Sequence, residues 1–188
     1  MADYQLIAEP PLAGTDVRIG TVRLLAADTL AIVSIALPLG EEAAAEKALK
    51  SSFKVALPES GQSTVAPDGA RVVRTGPDQA LILLPETRQS PEAFVLEKLK
   101  HTVYATDQSD VWSGLTLEGE DALAVLERIC PLDLHASVFP TDAAARTVME
   151  HLGVLIIRTG EQSFLLLSAS SSAVSFLHAI ETSMRNVA

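Results

Sequence analysis

Apolar residues in the first forty positions follow the short period of extended chain. Val17, Ile19, Val22 and Leu24 precede the turn-like Ala26-Ala27-Asp28, and Leu30, Ile32, Val33 and Ile35 follow it, which predicts a β-hairpin. Glu41 and Glu42 then open a helix that Lys47 and Lys50 close, charges placed in the sense the helix dipole favours, and Phe53 and Val55 end it. Two short apolar runs, 71–74 and 80–84, are joined by Thr75-Gly76-Pro77-Asp78, a hairpin-turn composition. Ser90-Pro91-Glu92 predicts a capped helix start, and that helix runs to about His101.

The stretch 104–140 carries the clearest signals. Val111, Trp112, Leu115 and Leu117 predict a strand, Gly119 breaks it, and acidic Glu120 and Asp121 begin a helix. Ala122, Leu123, Val125, Leu126 and Ile129 form its apolar face, and Pro131 turns the chain out of the helix at Cys130. The loop from Pro131 to Pro140 holds Leu132, Leu134, Val138 and Phe139, too many apolar residues for a solvated connection, so it is expected to dock on something. A last helix, opened by Ser170 to Ser172, sets Ala173, Leu177, Ile180 and Met184 on one stripe.

The two halves read alike. Residues 32–43, IVSIALPLGEEA, overlay 111–122, VWSGLTLEGEDA, without a gap, matching Ser34 with Ser113 and Gly40 with Gly119. Arg74-Thr75-Gly76 recurs as Arg158-Thr159-Gly160, each time before an apolar strand. The expected fold is α+β: one domain of two ferredoxin-like pseudo-repeats, strand-helix-strand-strand-helix, over residues 17–102 and 103–186. A pseudo-two-fold relates them, and they face one another through their sheets. Residues 1–16, with Glu9-Pro10-Pro11, are expected to form an extended arm lying across a surface.

Composition narrows the function. The formal charge of −10, with no cluster of Lys and Arg, argues against nucleic acid and anionic membrane surfaces. The uncharged runs 29–40 and 163–177 are too short to span a bilayer, and the N-terminus lacks the apolar core of a signal peptide. A single cysteine excludes an intrachain disulfide and suits a reducing cytoplasm, where the chain is expected to reside.

Candidate chemistry is sparse. Neither a G-x-G-x-x-G, a G-x-x-x-x-G-K-[ST] nor a G-x-S-x-G motif occurs. His101, His135, His151 and His178 have no metal-motif spacing. Cys130 beside His135 suggests a thiolate pair, but a helix C-terminus disfavours a negative sulfur, so a buried structural thiol is expected. Asp107, Asp110 and Asp133 are candidates for acid and base work, yet their Ser and Thr neighbours favour turn and cap roles. No catalytic, cofactor-binding or metal-binding residue is assigned.

Thr106-Asp107-Gln108-Ser109-Asp110-Val111-Trp112, Gly119-Glu120-Asp121-Ala122, Cys130-Pro131-Leu132-Asp133-Leu134-His135 and Val138-Phe139-Pro140 resemble the gamma subunit of heterotetrameric sarcosine oxidase. The resemblance covers most of residues 100–185 and the first half only loosely. More distantly, this half is similar to the folate-binding aminomethyltransferase domain of the glycine cleavage T-protein, which carries an acidic pair where Ile156 and Ile157 stand here. Ile offers neither charge nor hydrogen bond, so a folate-contacting role is lost at that position. A strand reading Val154-Leu155-Ile156-Ile157 is in any case that of a strand covered on both faces.

The resemblance implies a non-catalytic gamma subunit working with alpha, beta and delta subunits, which hold FAD, FMN, NAD, zinc and tetrahydrofolate. The complex it implies demethylates sarcosine oxidatively to glycine, passes the one-carbon unit to tetrahydrofolate and produces hydrogen peroxide. The alternatives are a stand-alone folate-binding aminomethyltransferase-like protein and a dimeric interaction module. The candidate partner interface comprises Asp107, Trp112, Pro131, Leu132, Leu134, His135, Val138, Phe139 and Pro140.

Overall fold

The structure is a computed structural model that describes residues 9–188. Two antiparallel sheets pack face to face. The first contains β1 (Asp16–Ile19), β2 (Val22–Ala26), β8 (Trp112–Gly119), β9 (Ala144–Met149), β10 (Leu152–Gly160) and β11 (Ser163–Ala169), in the order β1-β2-β8-β11-β10-β9. The second contains β3 (Ala31–Ala36), β4 (Ser63–Val65), β5 (Arg71–Arg74), β6 (Gln79–Leu84) and β7 (Tyr104–Asp107), in the order β4-β5-β6-β3-β7. Helices α1 (Glu42–Ser52) and α2 (Pro91–Lys98) cover the outer face of the second sheet; α3 (Ala122–Glu127) and α4 (Ala173–Val187) cover that of the first. Among the described residues no helix is long and apolar enough to cross a membrane.

Strand periodicity explains the layering. In β10, Val154 and Ile156 point into the cluster beneath α3 and α4, while Leu155 and Ile157 point between the sheets, where they meet Ile32, Val73, Leu81 and Leu83 of the second sheet. All four β10 residues are buried, as the apolar run predicts for a strand covered on both faces. On the far side, Val33, Ile35, Val72 and Ile82 pack against Ala45, Leu49 and Val95 of the helices.

The two sheets repeat one strand order, with β4, β5, β6, β3 and β7 corresponding to β9, β10, β11, β8 and β2. The chain therefore does not divide between the sheets at 102/103. β7 completes the sheet of the first half, and β2, from the start of the chain, completes the sheet of the second. The predicted pairing of residues 17–24 with 30–35 does not form. β2 instead turns back on β1 through Gly20-Thr21 and pairs with β8, while β3 lies between β6 and β7. Local sequence marks both strands but not their partners, which lie some ninety residues away for β2 and roughly forty to seventy-five for β3.

Strand register also corrects the ungapped overlay. Arg74 pairs with Ala80 and Arg158 with Phe164, so the R-T-G hairpins correspond directly. Ala80 then pairs with Ile35 and Phe164 with Leu117, so Ser34 matches Thr116 rather than Ser113. A slip of three residues is odd and puts the two serines on opposite faces. Ser34 shares the inter-sheet face with Ile32, whereas buried Ser113 shares the helix side with Leu115 and Leu117. Gly40 and Gly119 do both stand between strand and helix at positive φ. At Gly119 a β-carbon would also drive into the carbonyl oxygen of Thr21.

A seam joins the sheets at their β4 and β9 ends. Gln62 bridges Ala143 in antiparallel fashion: Ser63 N–H donates to Asp142 O at 2.7 Å and Ala144 N–H to Gly61 O at 2.9 Å. The two arginines of the repeat close the seam symmetrically, Arg74 N–H on Gln62 O at 3.1 Å and Arg158 N–H on Ala143 O at 2.9 Å.

Residues 1–8 of the expected arm lie outside the described residues. Its remainder is not extended. Ala13 N–H donates to Pro10 O and Thr15 N–H to Leu12 O, two tight turns that bury Leu12 in the core under α3 and α4. The hairpin between β9 and β10 holds Glu150 and His151 at φ 45° and 73°, the geometry of a two-residue type I′ turn, for which Asn-Gly is preferred. Replacing Glu150-His151 by Asn-Gly should raise the unfolding free energy by about 1–2 kcal/mol, read as a shifted midpoint in chemical denaturation.

Candidate interaction surface and the Arg158 anchor

The segment between α3 and β9 is irregular but ordered by its own hydrogen bonds. Backbone bonds from Ile129 and Cys130 to Leu126 O carry the α3 spiral on to Cys130, and Pro131 ends it. Asp133 Oδ1 accepts His135 N–H at 2.9 Å, an Asx turn. His135 O accepts the N–H groups of Val138 and Phe139 at 2.9 and 2.8 Å, and His135 Nδ1 lies 2.8 Å from Ser137 Oγ.

Arg158 fixes this segment from below. Its guanidinium is buried, and Nη1 donates to Leu134 O and Phe139 O, both at 2.9 Å. Nε donates to Gly160 O at 3.2 Å, Nη2 to Glu161 O, and the group lies over the Phe164 ring. Arg74 repeats the pattern more loosely, with Nε on Gly76 O at 3.2 Å, Nη2 on Pro77 O and Nη1 on Pro58 O at 3.3 Å. The recurring R-T-G therefore has a physical meaning: each arginine holds its own turn and the loop that leads into its sheet. Sequence comparison of the halves exposed the tripeptide, but the carbonyl partners lie in loops that no periodicity marks.

This anchoring divides the expected interface. Leu134 and Phe139 are 1% and 8% exposed and belong to the core beneath α3 and α4, so they are not interface residues. The apolar loop seals the open end of its own half. Leu132 is half-buried against the same core, Val138 is 60% exposed, and Pro131, His135 and Pro140 are exposed. Asp107 and Trp112 do not join them. Trp112 packs between the sheets, and Asp107 ends β7 in the other sheet, where its Oδ1 accepts the Ser109 N–H at 2.9 Å and hydroxyl at 2.7 Å.

Asp107 and Asp133 thus serve turns, and Cys130 is buried, its sulfur 3.9 Å from Thr147 Oγ1. Among the described residues no group of three His, Cys, Asp or Glu side chains could hold a metal ion. A groove of about 320 Å³ beside α3 and α4 is lined by Arg128, Glu150, His178, Thr182, Ser183 and Asn186 among others; Ser183 Oγ donates to Val125 O and is not free to act. At the position where the T-protein resemblance calls for an acidic pair, Ile156 and Ile157 are both fully buried in apolar clusters. The residues there do not fit a folate.

No protein-family model matches the chain. It is 34% identical over 125 residues to the sarcosine oxidase subunit gamma of an Arthrobacter species, covering 66% of this chain and 62% of that one. It is 32% identical over 132 residues to that of Corynebacterium sp. strain U-96, covering 70% and 64%, and 33% identical over 111 residues to that of Corynebacterium sp. strain P-1, covering 59% and 55%. The chain thus spans less than two thirds of the length of these curated relatives. Among solved structures it is similar to a chain of heterotetrameric sarcosine oxidase from Corynebacterium sp. U-96 in complex with pyrrole 2-carboxylate. There the TM-score is 0.81 at 28% identity, over 97% of this chain and 96% of that one. The glycine cleavage system aminomethyltransferase T of Bartonella henselae shares the fold, with TM-score 0.66 at 16% identity over 86% of this chain and 46% of that one.

Proposed function

From the premise that this chain belongs with the gamma subunits of sarcosine oxidase, we infer that it is the non-catalytic structural subunit of a heterotetrameric, flavin-dependent sarcosine oxidase in the cytoplasm. Its partners are alpha, beta and delta subunits. They hold FAD, FMN, NAD, zinc and tetrahydrofolate and carry out the demethylation of sarcosine to glycine, with the one-carbon unit passed to tetrahydrofolate and hydrogen peroxide formed. Both pseudo-repeat halves act within one domain as a scaffold. The observation that carries this reading is the nearly end-to-end overlap with a chain of the sarcosine oxidase complex. The fully apolar surroundings of Ile156 and Ile157 favour it over a stand-alone folate enzyme.

Affinity purification of the tagged chain from its native cells tests the proposal: three partner chains should be recovered in stoichiometric amounts, and recovery of the chain alone would refute it. The outward residues of the Arg158-held loop are the contacts to probe. A Val138→Ser variant should recover its partners at least tenfold less well while keeping its melting temperature, since a large apolar side chain buried at an interface contributes about 1.5–3 kcal/mol.

A further inference from the structure

Among the described residues, the β7 edge is the one whose counterpart in the other sheet is covered by a further strand. The β4 and β9 edges meet at one end in the seam around Gln62 and Ala143; beyond it β4 is only three residues long and β9 carries exposed Arg146. The β1 edge is charged, with Asp16 and Arg18 exposed and Asp16 paired to Arg23 at 2.8 Å, a usual defence against edge pairing. β7 carries a single exposed charge, Asp107, whose carboxylate is turned back on Ser109. Tyr104 is 70% exposed, Thr106 and Asp107 are exposed, and the strand has no lysine, proline or bulge.

The repeat identifies what is missing. β7 occupies in its sheet the place of β2 in the other, but β2 is covered along its outer edge by β1 and β7, among the described residues, by nothing. The first sheet has six strands and the second five for this reason alone. Hydrogen-bond parity tells which groups are open. Gln108 N–H donates to Ile32 O, so at this register Thr106 and Tyr104 also exchange their bonds with β3, and the N–H and C=O of Ala105 and Asp107 point outward. Among the described residues no backbone group meets them.

We propose that the outer edge of β7 receives an extended strand from a partner subunit, which pairs with Ala105 and Asp107 and completes a sixth strand of the second sheet. The proposal rests on the reading of the chain as a subunit of a larger complex. The donated strand has the chemistry that complements the edge: a lysine or arginine opposite the exposed Asp107 carboxylate, and β-branched or aromatic residues beside Tyr104 and Thr106. A second copy of this chain is the poorer occupant, because each copy carries a charge of −10 and would set Asp107 toward another acidic molecule.

Hydrogen exchange of the isolated chain and of the affinity-purified complex tests this. The Ala105 and Asp107 amides should exchange at least a hundredfold more slowly in the complex. Partners recovered with these amides unprotected would overturn the strand donation alone, whereas no recovered partner would overturn the subunit reading together with it. Protection already present in the isolated chain, with a dimeric mass, would make a second copy the occupant and sink the proposal. Ala105→Pro removes an outward donor while sparing the β3–β7 bonds. It should reduce partner recovery at least tenfold at an unchanged melting temperature, and undiminished recovery by the folded variant would refute the proposal. If that variant melts early, Thr106→Lys, an edge charge that leaves the backbone intact, gives the same two readings.

Discussion

Replacing Arg158 by methionine should lower the unfolding free energy by about 3–5 kcal/mol, with the loss visible as an early midpoint in urea. Methionine fills much of the volume but donates no hydrogen bond. The carbonyls of Leu134 and Phe139, buried where water does not reach, then lose the donor they share at 2.9 Å, and those of Gly160 and Glu161 lose theirs at the turn. An orphaned buried acceptor costs about 1–3 kcal/mol, so two deep ones and two shallower ones account for the range. Arg74→Met is the internal comparison. Its loop carbonyl, Pro58 O, stands at 3.3 Å and the side chain is only half-buried, so the loss should be distinctly smaller. Equal losses at both positions would contradict the role assigned to the loop.

The Leu134→Ala, Phe139→Ala double variant should fail to fold. Truncating a buried leucine costs about 2–5 kcal/mol and a buried phenylalanine about 3–5 kcal/mol, and the sum is comparable with the whole stability of a domain of this size. Circular dichroism of the purified variant should lack a cooperative thermal transition. A variant that melted within a few degrees of wild type and merely lost its partners would show that these side chains face outward after all. Val138→Ser is the contrast: the same ten-residue loop contributes Leu134 and Phe139 to the core and Val138 to the surface.

That division was not legible in the sequence, because an irregular loop has no period. Four apolar residues announce burial of something, but only the turn at His135 and the grip of Arg158 decide that Leu134 and Phe139 turn inward while Val138 turns out. The regular elements were far more legible. α1, α2, α4 and the strands β5, β6, β8 and β10 follow from alternation, capping residues and apolar runs, and the four-layer packing follows from the doubly apolar β10. β4, β7 and β9 escaped notice. They are edge strands, half or wholly exposed in most positions, so they carry little of the apolar signal that marks their neighbours. Internal similarity located the R-T-G hairpins correctly and misaligned the serines. A hairpin turn tolerates few residue types, whereas several registers of a strand of small apolar residues score alike.

The exchange of leading strands has a consequence for how the chain reaches its native state. β2 leaves the ribosome about ninety residues before β8, the strand that must receive it, and β7 serves a sheet begun more than seventy residues earlier. The sheet of the first half can close as soon as β7 appears. That of the second half waits with β2 unmatched, and such long-range closure is slow. A nascent chain holding one finished sheet and one idle strand is then the species most prone to pair with the wrong neighbour.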